Sequence, residues 1–276
     1  MHFGIAFFPT DYSISSAELA TLAEERGYES LWVAEHSHIP ASRLSPWPGG
    51  ADLPRDYWHC LDPFVALTSA AAATTRLRIG TGICLTIQRD PIHTAKQVAS
   101  LDHVSGGRFL FGIGGGWNRE EMEDHGTRYE TRWRLMREQI LAMKQIWTAD
   151  DSEFHGEFVN FGRMWCWPKP VQAPHPPIIL GGNGPNTLRR VVEFCDGWMP
   201  NRGDFFARMP ELNALAAEAG RPPIPVTVYG RDTRQDIERY IEAGIERCIY
   251  YVPSASRDDA IRRLEAITEL TEGLRG

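Results

Sequence analysis

Glu35-His36-Ser37-His38 sets two imidazoles and a carboxylate within four residues. An imidazole exchanges protons near neutral pH and a neighbouring carboxylate can orient it, so His36 is a candidate proton carrier with Glu35 beside it. A hydrogen-bonded structural histidine is the competing reading. The HxH pair of His36 and His38 also raises a metal-dependent hydrolase, which needs further ligands elsewhere. The later strand ends offer glycine, proline and arginine, with His155 and His175 badly placed, so no metal is expected.

Two glycine-rich stretches could approach a ligand with backbone alone. In "FLFGIGGGWN", a strand-like run meets Gly114, Gly115 and Gly116 and then Trp117. Glycine there permits positive φ and close approach of a ligand. A dinucleotide GxGxxG fails on spacing, because Gly112 and Gly114 lead to Trp117 while Gly114 and Gly116 lead to Arg119. A phosphate loop fails as well, since Lys96, Lys144 and Lys169 follow alanine, methionine and proline. In "ILGGNGPNTLRR", a strand runs through Gly181, Gly182 and Asn183 to a helix start at Asn186 and Thr187. Free backbone N–H groups and the helix dipole suit a phosphate. A tight βα turn with a capped helix accounts for the same residues.

The elements that must position these residues alternate. Short apolar runs predict strands near 2–8, 30–34, 77–84, 108–113, 177–181, 197–200, 225–229 and 247–252. Such runs suit strands covered on both faces. Helical periodicity falls between them at 15–26, 62–74, 91–104, 131–148, 185–195, 204–219, 233–243 and 256–271. Eight strand–helix units predict an α/β fold, a (β/α)8 TIM barrel with insertions, ahead of a doubly wound open sheet. No Pro/Gly/Ser-rich linker divides the chain, so residues 1–276 read as one domain. Segments 37–60 and 151–176 break the rhythm; the first is Pro-rich and the second contains the hairpin-like "EFHGEFVNF". Insertions of this kind are often lids or binding loops. Trp47, Trp58, Trp165 and Trp167 cluster there, equally suited to covering a flat ligand or gluing the loops down. In a TIM barrel the site lies at the C-terminal ends of the strands, which is where His36 and both glycine stretches fall.

Composition limits the partners. The chain has 276 residues, 42% hydrophobic and 24% charged, with a net charge of −7. That charge argues against a nucleic-acid partner. No apolar run approaches the roughly 18 residues of a membrane span. "MHFGIAFFPTDY" reads as a first core strand rather than a signal peptide. Five cysteines without a CxxC pair suit reduced cytoplasmic thiols.

The strand ends together resemble the bacterial luciferase-like family of flavin- and deazaflavin-dependent oxidoreductases. The resemblance covers most of the chain and rests on "ESLWVAEH", on "LRIGTGICLTIQRDPIHTAKQVASLDHVSGGRFLFGIGGGW" and on "WPKPVQAPHPPIILGGNGPNTLRRV". It implies a TIM barrel with an insertion near 153–161 and a tricyclic ring across the barrel mouth. It maps a non-prolyl cis peptide to Gly82–Ile83, under that ring. It assigns Gly114 to Gly116 to the cofactor side chain, and Gly181, Gly182, Asn183 and Thr187 to its phosphate. His36 would handle the proton, with Glu35 orienting it. Luciferase-type members carry an arginine after strand 4 that grips the flavin phosphate; Gly115 stands there in this chain. The triple glycine followed by Trp117 is more similar to members using the deazaflavin coenzyme F420, with FMN the alternative. The resemblance then implies hydride transfer between F420 and a small organic substrate by a homodimer. An FMN-dependent monooxygenase and a non-catalytic flavin-binding protein are the rival functions.

Overall fold

A computed structural model describes residues 1–50, 52–201 and 203–274. The chain opens with β1 (His2–Phe7), α1 (Ser16–Glu25) and β2 (Ser30–Val33), then runs through α2 (Asp56–His59) and α3 (Pro63–Ala73) to β3 (Arg78–Thr81). Next come α4 (Pro91–Ser105), β4 (Phe109–Ile113), α5 (Arg119–Asp124), α6 (Arg132–Thr148) and a hairpin, β5 (Ser152–His155) with β6 (Asn160–Met164). The last third is β7 (Ile178–Gly181), α7 (Thr187–Phe194), β8 (Gly197–Met199), α8 (Met209–Glu218), β9 (Thr227–Tyr229), α9 (Arg234–Glu242), β10 (Arg247–Tyr251) and α10 (Arg257–Leu270).

Eight of these strands pair in parallel in the order β8-β7-β4-β3-β2-β1-β10-β9. A parallel bridge from Trp198 to Val226, with the Trp198 N–H donating to the Pro225 carbonyl at 3.0 Å, joins the two ends. The sheet is thus a TIM-type barrel, and all eight predicted strands lie in it. Helix boundaries follow local chemistry. Ser15, Asp62, Asp90 and Ser256 each cap a helix by accepting a first-turn N–H, and Pro63 and Pro91 occupy first-turn positions where no donor is lost.

Two packed regions result. The larger lies between sheet and helices. The smaller fills the barrel interior with Ala6, Trp32, Leu110, Ile179, Met199 and Ile249, and Ile83 packs against its upper end. Fully buried Trp32 requires Gly80, where a Cβ would lie 2.6 Å from its ring, and the close β3–β4 approach requires Gly112, where a Cβ would lie only 1.9 Å from the Thr81 carbonyl oxygen. Below Trp32, buried Arg247 pairs with Glu29 through Nε and Nη2, each at 2.7 Å. This ion pair lies at the floor beneath Trp32, beside a cavity of about 230 Å³, and further open space lies at the C-terminal mouth.

The two insertions behave differently. From segment 37–60, Trp47 and Pro54 to Tyr57 border the mouth. The hairpin packs on α6 instead, where the Glu138 carboxylate accepts the N–H groups of Glu157, Phe158 and Val159 at 3.0, 2.7 and 3.0 Å. None of its described residues lines the mouth cavities. Of the two segments read as possible lids or binding loops, only the first borders the mouth cavities.

Candidate active site

A cavity of about 290 Å³ occupies the mouth, bounded by the ends of β2, β3, β4, β7 and β8. His36, Gly82, Ile83, Gly114 to Gly116, Gly181 and Gly182 line it, so four separate stretches singled out in the sequence converge. The Gly82–Ile83 peptide is cis, and its Gly82 carbonyl accepts the Tyr229 hydroxyl at 3.2 Å.

Each glycine answers a neighbour. A Cβ on Gly114 would meet the Ile83 side chain at 2.5 Å, and one on Gly181 would meet it at 2.9 Å. One on Gly115 would strike the Trp133 ring at 2.7 Å, while Gly116 adopts φ +63°. The absent side chains thus let Ile83 and Trp133 close on the cavity walls. They also turn the chain from β4 into α5, whose first residues are capped by Asn118 through the Glu121 N–H at 3.2 Å. That turn delivers Glu121 to His36.

The His36–Glu121 contact is the main polar feature of the cavity. His36 Nδ1 lies 2.7 Å from Glu121 Oε2, with side chains 6% and 1% exposed. Glu121 Oε1 accepts the Ser37 N–H at 3.0 Å. An ionised carboxylate only accepts, so His36 Nδ1 donates and Nε2 is the free position, with no protein partner among the described residues. Tyr57 and Trp117 flank the imidazole at centroid distances of 5.1 and 5.6 Å.

Glu35 does not orient His36. Consecutive side chains of an extended segment leave on opposite sides, and Glu35 turns to the β3 loop, accepting the Leu85 N–H and Arg89 Nε, both at 2.6 Å. Arg89 continues to Asp62 at 2.7 Å. His38 pairs with Asp124 at 2.9 Å on the surface. Among the described residues no three His, Cys, Asp or Glu side chains are grouped to hold a metal. Thiol chemistry is also disfavoured: burial pushes the Cys60 thiol up to about 11 and the Cys84 thiol well above its ordinary value.

At the β7–α7 turn, Gly182 has φ +119° and Thr187 begins the helix. Asn183 is engaged by Arg208, whose Nη1 donates to the Asn183 side-chain oxygen at 2.8 Å and to the Gly184 carbonyl at 2.9 Å. Two guanidiniums stand nearby on Trp133: Arg190 at 4.3 Å and Arg132 at 5.4 Å from the ring centroid. Burial and then the Arg132 charge lower the Arg190 pKa, and Arg132 Nε is buried without a hydrogen-bond partner among the described residues. Crowded, desolvated cations are relieved by an anion. Ile83 and the glycine walls of the cavity, with these guanidiniums near the α7 turn, are residues that could hold a phosphorylated flavin-type cofactor.

Sequence reasoning missed Glu121, Trp133 and the two arginines. The Asn118–Glu121 spacing is a helix-start signature, but the reach of Glu121 across 85 residues to His36 leaves no local signal.

A parallel barrel with a glycine-walled cleft at its C-terminal mouth has its cleft where TIM-barrel enzymes carry their active sites. The chain belongs to the luciferase-like monooxygenase family, whose model matches residues 12–275. An uncharacterised protein of Mycobacterium tuberculosis is 38% identical over 97% of both chains. A 5,10-methylenetetrahydromethanopterin reductase of Methanopyrus kandleri is 27% identical, covering 98% of this chain and 76% of the relative. The fold is similar to an F420-dependent secondary alcohol dehydrogenase in complex with an F420-acetone adduct, with TM-score 0.78, 20% identity and 98% of each chain covered. It is also similar to the FMN-bound oxygenating constituent of a diketocamphane monooxygenase from Pseudomonas putida, with TM-score 0.67, 21% identity and 87% and 70% coverage. No helix among the described residues is long and apolar enough to cross a membrane.

Proposed function

We propose that this protein is an F420-dependent oxidoreductase, transferring a hydride between the deazaflavin and a small organic substrate. The carrying observation is the buried His36–Glu121 pair, which leaves a single imidazole nitrogen, Nε2, for a proton at the glycine-walled cavity. The deazaflavin, when bound, supplies the hydride-carrying ring carbon. The protein's own residues do the rest. Gly82 and Ile83 support the ring, and Gly114 to Gly116 admit the cofactor side chain. Gly181, Gly182, Asn183 and Thr187, with Arg190 and Arg132, hold the phosphate. His36 Nε2 gives or takes the proton that accompanies hydride transfer. Glu121 is a positioning residue that fixes the tautomer, and Glu35 braces the loop carrying Ile83 and Leu85.

Gly115 supports F420 over FMN, because the wall it forms with Trp133 has no room for an arginine. The family's name and the FMN-bound neighbour support an FMN monooxygenase as the second reading. A cytoplasmic homodimer, with its five cysteines as free thiols, accords with this function. The test is the His36→Ala variant, followed by deazaflavin absorbance with candidate enones, imines and alcohols. Turnover should fall by at least about 100-fold while cofactor affinity stays within a few-fold. Equal losses in both would make His36 a binding residue and sink the assignment.

A further inference from the structure

Next to the first cavity lies a second of about 610 Å³, sharing Phe8, Ala34, Tyr57, Gly82 and Tyr229 as a common wall. Its far side comes from the 37–60 insertion and the C-terminal end of β10. Trp47, Tyr57 and Tyr251 give it aromatic faces, and Trp47 meets Tyr57 edge-on at 5.7 Å. Asp56 also lines it and is only 9% exposed. Its Oδ2 accepts the Tyr251 hydroxyl at 2.6 Å and the Ser254 hydroxyl at 3.3 Å. Its Oδ1 is buried and has no hydrogen-bond partner among the described residues.

A buried carboxylate oxygen without a donor is costly, and no ion pair to Asp56 occurs among the described residues. Arg55, the adjacent cation, is engaged elsewhere: its guanidinium lies 4.6 Å from the Tyr12 ring centroid and Nε donates to His59 at 3.1 Å. His59 in turn contacts Asp11 at 2.8 Å. No Arg55–Asp56 ion pair occurs among the described residues. Desolvation in the cleft, and then the Asp56 carboxylate, push the Tyr251 phenol up, so it remains a donor to Oδ2.

We propose that this second cavity is the substrate subsite and that it takes a protonated amine on an apolar or aromatic body, the ammonium donating to Asp56 Oδ1. An ammonium supplies both the missing donor and the missing charge, and aromatic faces attract cations. A neutral alcohol would supply the donor alone, and a carboxylate would be repelled. The proposal rests on the oxidoreductase reading for what the subsite serves, but its test needs neither cofactor nor turnover.

Binding of benzylamine, benzyl alcohol and benzoate to the purified protein at neutral pH is measured by ligand-observed NMR titration. Benzylamine should bind at least about tenfold more tightly than benzyl alcohol, as a desolvated charge-assisted contact predicts, with benzoate weakest. Asp56→Asn should abolish that preference without changing the affinity for benzyl alcohol. Tyr251→Phe, which removes one donor to the carboxylate and keeps its charge, should preserve or enlarge it. Equal binding of amine and alcohol in the wild type, or an amine preference that survives Asp56→Asn, overturns the proposal. If Asp56→Asn does not fold, loss of the preference in Tyr251→Phe overturns it. An F420 titration of the same sample reports separately on the oxidoreductase reading.

Discussion

Replacing Glu121 by glutamine changes little in shape and much in chemistry. The Ser37 N–H must be met by an acceptor at the position of Oε1, 3.0 Å away. In Glu121→Gln the amide oxygen takes that place, which turns the amide NH2 toward His36 Nδ1, 2.7 Å from the other oxygen in the native protein. An NH2 group only donates, so Nδ1 must accept and the ring proton moves to Nε2. The neutral imidazole can then no longer take a proton from a substrate. The imidazolium form also loses a charge-assisted hydrogen bond worth about 1.5–3 kcal/mol, roughly tenfold to a hundredfold by itself. Loss of the general base adds to this, so kcat for oxidation of an alcohol should fall by about 100-fold or more. F420 affinity should stay within about twofold, since the amide fills the same volume and both hydrogen bonds persist. Steady-state kinetics with a parallel cofactor titration decide the matter. An unchanged kcat, or a Kd rising as much as kcat falls, refutes the tautomer argument.

Three further outcomes follow from the geometry. Gly115→Ala puts a methyl 2.7 Å from the Trp133 ring; overpacking of about 1–3 kcal/mol should lower the melting temperature and weaken F420 binding about tenfold, read by calorimetry and titration. Arg190→Gln should weaken F420 about tenfold, the scale of one charge-assisted contact, and leave a deazaflavin lacking the phosphate unaffected, as paired titrations would show. His175 is held below its ordinary pKa by burial, donating Nδ1 to the Pro176 carbonyl at 2.9 Å. Because the folded pKa lies below the unfolded one, the unfolded chain binds the proton better, so stability should drop as pH falls through about 6.5 and below. Denaturant midpoints across that range should show the loss in the wild type and a flatter profile in His175→Phe.

Much of the barrel is legible in the sequence because its strands are short apolar runs flanked by capping residues. "LRIGTGICL" and "PPIILGG" are of the type expected for strands covered on both faces, although β3 stops at Thr81, and Asp62-Pro63 and Asp90-Pro91 mark their own helix starts. The site is half legible. His36 and the glycines announce themselves by position, being at strand ends. Their partners do not, because the pairing of His36 with Glu121 and of Gly115 with Trp133 is decided by how the barrel closes. Glu35 misleads for the same reason: nearness in sequence is not nearness of side chains in an extended segment. Composition does not decide the role of the second insertion, since its Trp165, 83% accessible, suits a lid or a glued-down loop equally and yet lines neither mouth cavity.

The central claim is that this cleft serves a deazaflavin. Equilibrium titration of the purified protein with F420 and with FMN under identical conditions tests it most directly. The account predicts F420 binding at least about tenfold tighter, a difference of roughly 1.4 kcal/mol, with Arg190→Gln weakening it. FMN binding as tightly as F420, with oxygen consumed by the reduced FMN complex, would contradict it and make the protein a monooxygenase.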